Sequence, residues 1–261
     1  NSKFYFLIIG FIFLTLSCKK LDEQPISFVE PNDFYTTPSQ LEATFAASMN
    51  TLWNSWSGYG YGMGYFVNDD QYKGGDLVIS NNHASDLWTI HYSAILNLNS
   101  AVRAINNGNL GTSASQAEVD QLMGQAKFLR AYNYFMLVRM FGDLPLITED
   151  TEDPVTAKIV RTPIADVYAL IVSDFTEATA KLPRKWPDEQ KGRPTSGAAK
   201  GLLAKAYLTM ATAPLNEVSN YQKAADFAGQ VIQEADYALV HDIQNVFTVA
   251  TRYGPEMMWG Y

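Results

Sequence analysis

Apolar residues recur at helical spacing along most of the chain. Between Ala126 and Phe141 they fill two adjoining lines, Phe128, Ala131, Phe135 and Val138 on one and Leu129, Tyr132, Met136 and Met140 on the other. An apolar surface that wide must be covered from more than one side, so this stretch is predicted to be a central helix. Lys127, Arg130 and Asn133 are its narrow polar remainder. Gly142 and Pro145 predict its end, because glycine accepts a left-handed cap and proline cannot continue the ladder. An earlier helix is expected from Asn32-Asp-Phe-Tyr35 onward, with Leu41, Phe45, Ala46, Met49, Leu52 and Trp53 on adjoining lines. A second begins at Ser85 or Asp86, either able to cap it, and carries Leu87, Ile90, Ala94, Leu98, Ala101, Val102 and Ile105. The Gly/Ser linker 108–115 then makes this helix and the central one antiparallel neighbours.

Beyond the central helix, Thr162 is predicted to cap the next one, with Pro163 in its first turn and Ile164, Val167, Ile171, Ala178 and Leu182 as its buried stripe. Residues 193–208 follow, where Gly197, Ala198, Gly201 and Ala204 set small residues three and four apart. Such a stripe is expected to let a neighbouring helix approach closely. Tyr221, Ala224, Phe227, Ala228, Val231, Ile232 and Ala235 form a last amphipathic helix, spaced like the first helix of a tetratricopeptide pair. Paired helices joined by turns predict an all-α, tetratricopeptide-like helical-repeat superhelix carrying long irregular loop insertions.

The longest insertion runs from Trp53 to His83. Glycines at 58, 60, 62 and 64 alternate with Tyr59, Tyr61 and Met63, which forbids a stable helix and predicts a loop or short extended ribbon. Long excursions of this kind in a helical chain are usually functional. Trp56, Tyr59, Tyr61, Tyr65 and Tyr72 offer flat rings, and Asn68, Asp69, Asp70, Asn81 and Asn82 offer hydrogen-bonding partners. A sugar ring needs both, an apolar face to stack and acceptors for its hydroxyls, so these ten residues are the candidate ligand site. The same aromatics also suit packing on the helices beneath or contact with another protein.

Composition narrows the classes. The 261 residues are 47% hydrophobic and 18% charged, which describes a globular chain with a sizeable core. Nineteen Lys and Arg against 27 Asp and Glu give a formal charge of −8, and no basic run follows the first residues, so no nucleic-acid partner is expected. Cys18 is the lone cysteine, which excludes an internal disulfide and a Cys-rich zinc site. It follows Lys3 and the apolar run from Phe4 to Leu16, a segment with the layout of a secretory signal and too short to span a bilayer comfortably. With cysteine next to the expected cleavage point, residues 1–17 resemble a bacterial lipoprotein signal, which makes Cys18 the lipidated residue. Residues 18–31 are then a polar tether.

Enzymatic chemistry finds little support. His83, His91 and His241 share no zinc-ligand spacing, and no nucleophile elbow or phosphate loop occurs. The acidic run Glu149-Asp-Thr-Glu-Asp153 lacks calcium-loop spacing and is expected to be a solvated loop. No catalytic residue, metal or cofactor is assigned.

The stretch Ala126-Lys-Phe-Leu-Arg-Ala-Tyr-Asn-Tyr-Phe, followed by Phe141-Gly-Asp-Leu-Pro-Leu, resembles the central helix and turn of the SusD/RagB family of Bacteroidota outer-membrane nutrient-uptake lipoproteins. Agreement extends to Trp88, Tyr92, Ile95 and Asn99, to Arg161, Val167, Tyr168, Ile171, Asp174, Ala178, Leu182 and Pro183, and to the helix after Arg193. The charged spacer Lys19, Lys20, Asp22 and Glu23 is similar to that of surface-exposed relatives. The resemblance implies a SusD-like helical domain over 32–261, cut short at its C-terminus; the absence of an initiator Met implies a sequence that starts inside its reading frame. It implies a protein anchored by lipid to the outer membrane and facing the exterior. There it would bind glycan, or another oligomeric nutrient such as peptide, and deliver it to a SusC-like TonB-dependent transporter. A lipid-anchored glycoside hydrolase and a helical-repeat scaffold without a small ligand are the alternatives.

Overall fold

A computed structural model describes residues 34–54, 82–151, 159–246, 248 and 251–260. Helix α1 spans Pro38–Asn54, α2 Asn82–Asn106, α3 Gln116–Phe141, α4 Ile164–Lys181, α5 Ser196–Met210 and α6 Asn220–Glu234. Two-residue strands β1 (Leu144–Pro145) and β2 (Arg161–Thr162) pair antiparallel, Leu144 opposite Thr162. From α2 onward each helix packs on the next in sequence, and α1 lies against both α2 and α3. This is the stacking of an all-α helical repeat. Among the described residues no helix is long and apolar enough to cross a membrane.

Helix α3 is the centre of the stack: the first apolar line, Phe128, Ala131, Phe135 and Val138, is buried, whereas on the second Leu129 is buried, Tyr132 and Met136 are half-buried and Met140 is exposed. Ser115 caps it by accepting from the Glu118 N–H at 3.3 Å. At the other end Gly142, at φ +70°, takes the conformation that side-chain-bearing residues avoid.

Several boundaries and phases differ from expectation. Helix α1 begins at Pro38, where the N–H groups of Thr36 and Thr37 donate to the Gln40 side chain at 2.9 and 3.0 Å. Its Ala46 is exposed, and Trp53 is 58% exposed, so neither joins the core. Helix α2 begins at Asn82, which puts Ser85 and Asp86 inside it rather than at its cap. Thr162 does not cap α4, because it is held extended in β2. The Ile164 N–H is satisfied instead by the Asp143 carboxylate at 2.9 Å, brought over by the turn after α3. At the two glycines of the α5 stripe the close neighbours are side chains from the chain after α6. A Cβ on Gly197 would lie 2.5 Å from the Tyr237 ring, and one on Gly201 would lie 3.3 Å from the Met258 methyl. Of the apolar line on α6 only Ala224 is buried, and Ile232 is 78% exposed.

The largest departure concerns Glu149 and the polar remainder of α3 that it meets. Lys127, Arg130 and Asn133 are buried, and Arg130 is the largest fully buried side chain in the core. A guanidinium out of water needs partners for every donor. Arg130 donates to both oxygens of Asp174 on α4 at 2.7 and 2.9 Å, to the Asn99 amide oxygen on α2 at 2.7 Å, and to Glu149. Lys127 lies 3.2 Å from Glu149 and 3.3 Å from Asp174. Glu149, expected in a solvated loop, is thereby drawn into the interior by two cations. Around it the connection after β1 is stapled by side chains. Tyr92 donates to the Pro145 carbonyl at 2.7 Å, Tyr134 donates to the Ile147 carbonyl and accepts from its N–H, and Asn99 donates to the same carbonyl at 2.9 Å. Three helices and one connecting segment are thus joined through one buried guanidinium. The Asn133 side chain, donating to the Leu129 carbonyl, turns its oxygen to His91 at 2.8 Å.

This network predicts acid sensitivity. Burial alone would raise the Glu149 carboxyl, but the Arg130 charge and hydrogen bond, with help from Lys127, outweigh it and hold the group at about 2. A carboxylate depressed in the folded state adds stability above its unfolded value and loses it as pH falls towards the folded one. His91 acts in the same direction: burial, only partly offset by Asn133, lowers its pKa, so acidification favours the unfolded chain that protonates more readily. Melting temperature is therefore expected to fall steeply between about pH 5 and pH 2. Glu149→Gln should melt lower at neutral pH and show a shallower fall on acidification; an unchanged slope would contradict this role for Glu149.

Candidate cleft and family membership

The segment between α4 and α5 carries Trp186, the single-turn helix Asp188–Gln190, Gly192 and Arg193. Its Trp186 is fixed by its indole N–H, which donates to the Pro194 carbonyl at 2.7 Å, and by the Arg193 guanidinium, 5.3 Å over its ring. Arg193 is held in turn by Glu42 of α1 at 2.5 Å, a carboxylate that also accepts from Gln125 of α3. Thr195 caps α5 by accepting from the Ala198 N–H at 3.0 Å.

The chain after α6 folds back onto this segment. The Gly260 N–H donates to the Gly192 carbonyl at 3.0 Å, and the Thr195 hydroxyl meets the Tyr237 hydroxyl at 2.5 Å. Trp259 enters the core edge-on against Phe128 and Tyr132, with centroids 4.9 and 5.2 Å away. Between the two segments lies a cleft of about 410 Å³, with Trp186, Tyr237, Tyr253 and Trp259 among its walls and Arg184, Lys185, Asp188, Lys191, Arg193 and Asp236 as its charged groups. A second cleft of about 530 Å³ opens on the α1 side and shares Lys191, Gly192, Arg193 and Tyr253 with the first.

Two glycines determine the shape. At Gly192, φ is +99°, and a Cβ would stand 2.5 Å from the Gly260 carbonyl and 2.9 Å from the Tyr253 ring. Only glycine lets that ring and the returning chain come so close. Gly197 does the same for Tyr237. Burial raises the Tyr237 hydroxyl pKa, with the Thr195 bond working the other way, so the phenol stays protonated and serves as a hydrogen-bonding group. Asp236 is held below the usual carboxylate range, first by its hydrogen bond from Arg184.

Of the residues expected to bind ligand, Trp56, Tyr59, Tyr61, Tyr65, Asn68, Asp69, Asp70, Tyr72 and Asn81 lie outside the described residues, as does Cys18. Asn82 is the first residue of α2, and its side chain also lies outside the description. Trp88 is half-buried against Tyr92 and Phe141, with Arg161 over its ring. His91 is buried and His241 exposed, and among the described residues no group of three or more His, Cys, Asp or Glu could hold a metal ion. The cleft itself was not foreseen. Its one sequence signal is a tryptophan inside the charged loop Arg184-Lys-Trp-Pro-Asp.

A family model described as SusD-like, starch-binding and associating with the outer membrane matches residues 19–208. SusD-like protein P2 of Formosa agariphila is 31% identical over 266 residues, covering 92% of this chain and 49% of that one. A SusD superfamily protein of known structure from Parabacteroides distasonis superposes with a TM-score of 0.65 at 30% identity, over 73% of this chain and 40% of that one. A laminarin-binding SusD-like protein shares the fold, with a TM-score of 0.66 at 24% identity over 86% of this chain and 51% of that one. The chain spans about half the length of the curated relatives it matches. With a family match over most of the helical stack and relatives that share its tetratricopeptide-like fold, the chain belongs to the SusD-like family of carbohydrate-binding, outer-membrane-associated proteins.

Proposed function

We propose that this chain is part of a surface-exposed outer-membrane lipoprotein that captures a glycan and delivers it to a SusC-like TonB-dependent transporter. The observation that carries the reading is the family match over residues 19–208, whose members are described as starch-binding and outer-membrane-associated. A relative that binds laminarin supports a glycan as ligand. Cys18, next to an apolar run of signal length, supports anchoring by lipid; acyl chains contribute about 0.8 kcal/mol per buried methylene, and several on one residue hold firmly. No catalytic step is part of the proposal.

Within this reading the excursion from Trp53 to His83 contributes to capture, its rings stacking on sugar faces and its amides and carboxylates receiving hydroxyls. The test is affinity for a glycan panel in the full-length protein carrying Trp56→Ala, Tyr61→Ala or Tyr72→Ala. Loss of an aromatic stacking partner is expected to weaken binding by about 1 kcal/mol or more, roughly fivefold to tenfold. If all three variants fold and bind as wild type while transporter association weakens, the segment is a docking surface and the sugar site lies elsewhere.

A further inference from the structure

We propose that the cleft between the 184–195 segment and the returning chain is a subsite for the anionic groups of an acidic oligosaccharide. This rests on the glycan-binding reading above and adds the charge of the ligand to it. The chain carries a formal charge of −8, yet this cleft has four cations, Arg184, Lys185, Lys191 and Arg193, against two carboxylates, Asp188 and Asp236. Pairing removes only part of the excess. Lys191 is matched by Asp188 at 2.9 Å, and Arg193 by Glu42 at 2.5 Å. Arg184 and Lys185 converge on Asp236 together, at 2.7 and 3.5 Å. Glu234, whose charge also reaches Arg184, is itself paired with Lys200, so one positive charge remains in excess at that end of the cleft.

The order of exposure decides what it meets. The Arg184 and Lys185 side chains are 58% and 71% exposed, whereas that of Asp236 is only 10% exposed. At that end an anion arriving from solvent meets the two cations before the carboxylate beneath them, while the exposed Asp188 of the same cleft is paired with Lys191. Carboxylate and sulfate groups suit guanidinium and ammonium donors for the same reason. Beside this rim, Tyr253 and Tyr237, packed against the glycines at 192 and 197, and Trp186, held by Pro194 and Arg193, supply apolar surface. A pre-organised aromatic floor binds a sugar ring without a further ordering cost. A volume of about 410 Å³ lies within the range of small-ligand sites. A neutral sugar takes only hydrogen bonds to its hydroxyls from the cationic rim, without the charge attraction, and a simple anion gains nothing from the floor. A sugar bearing carboxylate or sulfate uses both.

The experiment is calorimetry on the full-length protein with three oligosaccharides of equal length: a neutral β-glucan, an oligogalacturonate and a sulfated galactan. At least one acidic ligand is expected to bind about tenfold tighter than the neutral one at low salt and to lose that advantage as salt rises. Lys185→Glu, which reverses an exposed charge at the rim, should weaken the acidic ligands about tenfold relative to the neutral one. Lys185→Arg should bind as wild type. The oligogalacturonate and sulfated arms tell which anionic group is preferred. Neutral and acidic ligands binding equally, or Lys185→Glu binding acidic ligands as wild type, would overturn the proposal while leaving glycan capture intact. Binding of no glycan at all would overturn both.

Discussion

Asp174→Ala is expected to destabilise the full-length protein by about 3 to 5 kcal/mol, read as a shift of the urea midpoint at pH 7. The alanine leaves the Arg130 guanidinium with an Asn99 oxygen and Glu149 but without the two-pronged acceptor that faces it on α4. Arg130 is 1% exposed, so water cannot replace the lost oxygens. The physical claim concerns the orphaned charge rather than the worth of the pair. Removing both charges, as in Arg130→Met with Asp174→Ala, should therefore be less destabilising than the two single effects added together. A single variant within about 1 kcal/mol of wild type would mean that Arg130 reaches solvent and that α3 is rotated from the phase described.

Gly197→Val is expected to be the second large effect, at the upper end of the about 1 to 3 kcal/mol typical of overpacking. The added Cβ would begin 2.5 Å from a Tyr237 ring whose hydroxyl is tied to Thr195 at the start of the same helix. The ring cannot turn aside without breaking that contact, and the cleft floor would move with it. Gly201→Ala is the control on the same face. Its Cβ meets the methyl of Met258 at 3.3 Å, the end of a flexible side chain, and thermal melting should change little. Equal effects at the two positions would contradict the assignment of Tyr237 and Met258 to these two glycines.

The order and type of the helices were legible because burial imposes a period on apolar residues. Phe128, Phe135 and Val138 in α3, and Val167, Ile171 and Ala178 in α4, are buried where their spacing puts them. Polar residues obey no such rule. Lys127, Arg130 and Asn133 read only as a narrow polar remainder, because polarity alone does not say whether a partner waits across the interface. The signal that one does lay on another helix. Asp174 falls on the same line as Val167, Ile171 and Ala178, so a carboxylate was already inside before its partner was known. The Asp143 cap of α4 was hidden for a similar reason, since the acceptor comes from a turn 21 residues away in sequence. The cleft gathers residues 184–193, 236–237 and 253–259, three segments that no local pattern connects. Residues 55–81 of the aromatic excursion and Cys18 rest on composition and resemblance, since they lie outside the described residues; the ends of the excursion, Trp53 and Asn54, and Asn82 and His83, belong to α1 and α2.

Glycan capture without cleavage is the central claim, and one incubation tests it most directly. The full-length protein is mixed with insoluble and soluble polysaccharides, and both the protein retained and the reducing ends released are measured. Retention on at least one polysaccharide with no new reducing ends is the predicted result. Release of reducing ends would identify a hydrolase, and neither retention nor release on any polysaccharide would contradict a glycan-binding role.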